Sequence, residues 1–142
     1  MTRAILSAAL AVALVAGLPA QDKPNFAGTW KPADSFNRTK ITVEGSKMTV
    51  TITLAGNSDA TVYLLDGTPS KKTFLGPNGP IENVYTSTWE GNVLVTTITT
   101  PGPHPMIEKR WIDADGTMKV ERTVTLPQGK TDTITSVMKK VE

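Results

Sequence analysis

The chain has 142 residues, a formal net charge of +2 and no cysteine. Near-balanced charge with no basic cluster removes the electrostatic footprint of a nucleic-acid binder; Lys71-Lys72 and Lys139-Lys140 are too short to count as patches. Without cysteine there is neither a disulfide nor a thiol to carry a lipid anchor, so the fold must rest on its own core.

Residues 1–20, "MTRAILSAALAVALVAGLPA", open with Arg3, run apolar from Ile5 to Leu18 and end on Pro19-Ala20 before a polar Gln21-Asp22-Lys23. That is the layout of a secretory signal peptide, with cleavage expected after Ala20. About fourteen apolar residues are too few for a membrane span, which needs about twenty. The expected mature chain, 21–142, is the size of one domain. Its destination is the periplasm or the cell exterior, with no membrane span of its own.

From Gly28 onward the pattern alternates rather than repeating at three and four, so it predicts strands and no helix. In "KMTVTITL", Met48, Val50, Ile52 and Leu54 share one face and Lys47, Thr49, Thr51 and Thr53 the other. "MKVERTVTL" groups Met118, Val120, Val124 and Leu126. Thr, Val and Ile suit a half-buried pleated surface. Glycines at 45, 56, 67, 79, 91, 102, 116 and 129 punctuate the strands every 11 to 14 residues, many in turn dipeptides such as Asp66-Gly67 and Asp115-Gly116. The expected strands lie near 27–32, 39–44, 47–54, 60–66, 82–90, 92–100, 106–113, 117–126 and 131–139, with a short tenth near 71–75. The proline-rich stretches 68–80 and 101–105 read as loops. Short connections favour sequential antiparallel neighbours, and a meander of nine or ten strands avoids raw edges by closing into a barrel.

The segment "NFAGTWKPADS", Asn25 to Ser35, resembles the N-terminal signature of the lipocalin and fatty-acid-binding superfamily, the calycins. The resemblance implies that Trp30, after Gly28, plugs the closed end of an antiparallel barrel while a basic residue of the last strand, Lys139 or Lys140, covers the indole. The chain also looks like small exported lipocalin-like proteins of bacteria with no assigned activity. The shared features are Tyr63 to Gly67, Trp89 to Gly91 and Asp115-Gly116. It departs from fatty-acid-binding proteins twice. Only about eight residues separate Lys31 from the next strand, too few for a helix-turn-helix lid. Its last strand also lacks the Arg and Tyr that hold a fatty-acid carboxylate in those proteins.

Arg122 is the most unusual residue, because it shares the inward parity of Met118 and Val120. A buried guanidinium needs a partner. It reads either as a receptor for a ligand carboxylate or phosphate, or as a structural group paired with an interior carboxylate such as Glu108 or reaching water at a barrel end. Tyr85 and Trp89 share a face and are candidate ligand contacts, with Tyr63 and Trp111 as further aromatics. His104 is the only histidine and one imidazole makes no metal site. Asp113 and Asp115 bracket a turn, where Asp bonds its own backbone. There is no Gly-x-Ser-x-Gly, no phosphate loop and no other catalytic set, and no cofactor is implied.

The sequence therefore supports an exported barrel that binds a small, partly apolar ligand, with an anionic ligand as one form of it. The rival reading is an envelope structural or interaction module whose barrel is filled by its own side chains. Interior volume separates them: a cavity of about 300 Å³ or more favours binding.

Overall fold

A computed structural model describes residues 22–141; the proposed leader, 1–20, lies outside the described residues. Ten antiparallel strands follow one another: β1 Gly28–Pro32, β2 Arg38–Glu44, β3 Lys47–Leu54, β4 Asn57–Leu64, β5 Ser70–Gly76, β6 Gly79–Glu90, β7 Val93–Thr99, β8 Met106–Ile112, β9 Met118–Thr125 and β10 Thr131–Lys140. They form one sheet in the order β4-β3-β2-β1-β10-β9-β8-β7-β6-β5. Sequence neighbours pair throughout except β4 with β5, and β1 pairs with β10 to curl the sheet into a nearly closed barrel.

The alternation works as the sequence predicts. Met48 and Val50 of β3 and Met118 and Val120 of β9 are buried, while their odd-numbered neighbours are more exposed. Two-residue connections at Gly45-Ser46, Ala55-Gly56 and Gly91-Asn92 turn tight hairpins. At the turn after β8, Asp115 accepts hydrogen bonds from both the backbone N–H and the hydroxyl of Thr117, at 3.0 and 2.7 Å. Five residues link β1 to β2, so no helical lid stands there.

The stretch 68–80 departs from its expected loop. The short tenth strand is a full one, β5, and β6 begins at Gly79 rather than near 82. Prolines are tolerated because they fall at the margins. Pro69 precedes β5, Pro77 lies in the turn, and Pro80 belongs to a part of β6 that has β5 as its one ladder partner.

Phe26, Trp30, Ile41, Met48, Leu94 and Met118 are the large apolar side chains fully buried in the core. The Trp30 indole N–H donates to the Phe26 carbonyl at 2.8 Å. Trp30 stands opposite Lys140, whose ammonium lies 5.8 Å from the ring centroid. Lys139 is opposite Lys31, one residue out of phase. Of the two lysines, Lys140 therefore covers the indole. Gly28 starts β1 at φ 137°, a backbone conformation that other residues resist.

Candidate functional site

β8 is the strand that carries charge inward. Glu108 and Arg110 are two residues apart on one strand, so they share a face, and both are buried. β9 lies beside it and sets Arg122 directly opposite Glu108. The Glu108 carboxylate accepts from Arg110 Nη2 at 3.0 Å on one oxygen and from Arg122 Nε at 2.8 Å on the other. Burial by itself would raise the Glu108 pKa. The two guanidinium charges and their hydrogen bonds outweigh it and hold the carboxyl below its ordinary value. Two cations on one carboxylate leave this interior cluster with an excess of one positive charge.

That excess faces a cavity. Arg110 is almost fully buried: Nη1 points at the Met118 sulfur at 3.7 Å, and its charge lies 5.7 Å from the Tyr63 ring. The Arg122 side chain is 48% exposed, although it points inward, because it borders a hollow of about 470 Å³. Its Nε is committed to Glu108, and the residue lines the hollow. Val50, Met106, Val120, Val124, Ile134 and Met138 give this space an apolar wall, and Thr39, Asn37 and Ser136 add hydroxyls and an amide.

Tyr63 also lines the hollow and packs edge-on against Tyr85, with ring centroids 5.5 Å apart. Burial first, and then the Glu108 charge, push the Tyr63 phenol well above its ordinary pKa. It is thus a fixed hydrogen-bond donor across the neutral range.

The candidates named from sequence fall in three places. Arg122 lines the cavity directly. Tyr85 packs against Tyr63 and is not among the cavity-lining residues. Trp89 is stacked on Phe26 at 5.9 Å, has the Lys23 ammonium 5.3 Å from its ring centroid, and borders a separate hollow of about 440 Å³. Trp111 donates to Asp113 at 2.8 Å and is not among the cavity-lining residues. Glu108 pairs with Arg122, as the structural reading anticipates, and also with Arg110, which the sequence pattern does not mark. In "MIEKRWI" apolar residues occupy both parities, so the inward face is ambiguous. The one available signal was an opposite-charge pair spaced by two.

No protein-family model matches the sequence, and no curated protein does. Solved structures do match in shape. A fatty acid transporter, REP1-NXSQ, superposes with a TM-score of 0.55 at 15% identity, over 82% of this chain and 96% of that one. A mutant of the same transporter gives 0.53 at 17%, over 74% and 72%. A secretory abundant heat soluble protein from Ramazzottius varieornatus gives 0.57 at 16%, over 85% and 98%. At such identities the likeness is one of fold: that of the fatty-acid-binding and lipocalin-like barrels.

Proposed function

We propose that this barrel is exported and binds a small, partly apolar molecule carrying an anionic group, held in the cavity of about 470 Å³. The observation that carries the reading is the cavity's uncompensated charge. Arg122 offers a guanidinium whose Nε is fixed by Glu108 and whose half-exposed side chain lines the cavity, the group suited to receive a carboxylate or phosphate. Tyr63 adds a hydroxyl donor beside it, Tyr85 braces Tyr63, and the aliphatic wall takes the apolar body. Trp89 contributes through its packing on Phe26 rather than by facing this ligand. The cavity exceeds the size that separates a binding barrel from a filled one. The likeness to fatty acid transporters supports an apolar acid as the ligand class, though the cations here stand on β8 and β9 rather than on the last strand.

The test is calorimetric titration with decanoate. Binding is expected for the native protein, and Arg122→Met should weaken it by about tenfold to a hundredfold, the worth of a charge-assisted hydrogen bond. Equal affinity in both proteins would overturn the receptor role, and absent binding by the native protein to any alkyl acid would overturn the reading. Export is checked separately: the protein purified from the envelope should begin at Gln21.

A further inference from the structure

Among the described residues, part of one edge of the barrel wall has no strand partner. β10 spans ten residues, but β1 meets only its last three, through Trp30 with Lys140, Lys31 with Lys139 and Pro32 with Met138. Beyond Pro32 the chain leaves toward β2. Val141 donates its N–H to the Thr29 carbonyl, so the odd-numbered residues of this segment are the ones whose backbone faces β1. By the alternation of an antiparallel ladder, Thr131, Thr133, Thr135 and Val137 direct their N–H and C=O groups to the same side, where β1 has ended. Among the described residues, no loop or turn backbone bonds to these groups.

The other interruption, between β4 and β5, is treated differently. There Ser70 donates to the Val62 carbonyl at 2.7 Å, and Lys72 reaches across to Asp59 and to Thr61. Side chains clasp that gap, and lysines guard its edge. The segment Thr131–Val137 has no lysine, proline or glycine, the devices that normally blunt an edge strand.

We propose that this edge pairs antiparallel with the same edge of a second copy of the chain, about a twofold axis at Ile134. The register is set by the backbone. Outward-facing odd residues must meet odd residues, and the register that uses the whole segment puts Thr133 opposite Thr135 and Thr131 opposite Val137. Asp132, the one charged residue of the segment, then faces Ser136, so no like charges oppose one another. Ile134 meets its own twin. It is 63% exposed in the single chain although its side chain lines the cavity, because the wall is open at that point. Pairing buries both isoleucines and covers the side opening of each cavity. A self-complementary edge of this kind is what an isologous dimer requires. The inference does not depend on what the cavity holds.

Sedimentation equilibrium of the protein tests it, with the mass of two chains expected. Thr133→Lys with Thr135→Lys sets lysines against lysines across the axis and should give folded monomers with an unchanged circular dichroism spectrum, since both side chains are exposed. Thr133→Glu with Thr135→Glu should do likewise, and mixing the two variants should restore a heterodimer. Thr135→Pro removes only an outward N–H and should also yield a folded monomer. A native protein that stays monomeric at all concentrations overturns the proposal. So does a dimer that survives the lysine pair, or a mixture that fails to associate.

Discussion

Glu108 is buried in β8 with one guanidinium on each oxygen, Arg110 at 3.0 Å and Arg122 at 2.8 Å. Its ionised form is what the surroundings are built for. Glu108→Gln keeps the shape but leaves two cations with no carboxylate, and should cost about 3 kcal/mol at neutral pH, as for other buried pairs that lose one partner. The pH dependence follows. The folded-state pKa lies below the ordinary 4.5, so the stabilisation is present above that value and is lost as pH falls through the folded one. Melting temperatures taken from pH 7 down to pH 3 should therefore converge for the native and Gln proteins. Parallel curves would show that Glu108 does not titrate with folding.

At the scale of the element, the hairpin between β3 and β4 is a two-residue turn in which both residues have positive φ, Ala55 at 49° and Gly56 at 81°. That is the primed geometry that suits a twisted hairpin, and Ala is a poor choice for its first position. Ala55→Asn should stabilise the protein by about 0.5–1 kcal/mol, since Asn tolerates the left-handed region; urea denaturation would show it as a higher midpoint at an unchanged slope. A lower midpoint would mean that the turn is held by something other than its backbone preference. Elements like this one were legible because their signals are local. Alternation marks the face, and a glycine pair marks the reversal. β5 was the harder strand. In "SKKTFLG" only two residues are large and apolar, and both are exposed on a wall open at one edge, so burial never stamped a pattern on it. The candidate site was half legible for a related reason. Parity on β9 is clean and points Arg122 inward, whereas β8 has Ile107 and Trp111 on its outer face and hides Arg110. Cavity volume depends on how ten strands curve together, which no single segment records.

At the scale of the molecule, the chain threads its sheet with one exception to neighbour-to-neighbour order. Eight of the nine ladders join consecutive strands; the ninth joins β1 to β10 and brings Thr29 to Val141. The break in the ladders falls between β4 and β5, at the connection around Gly67-Thr68. The arrangement has a kinetic meaning. The native chain must close almost its full length to form its first-to-last ladder, and that closure is entropically dear. A circular permutant, with the two ends joined by a short linker and the chain reopened at Gly67-Thr68, would run through the same sheet strictly from one border to the other. Every ladder would then be a hairpin. Its refolding in stopped-flow should be faster by roughly tenfold with the same final spectrum, and an unchanged rate would place the slow step elsewhere. Where the barrel fails to close on itself is thus also where its chain could best have begun.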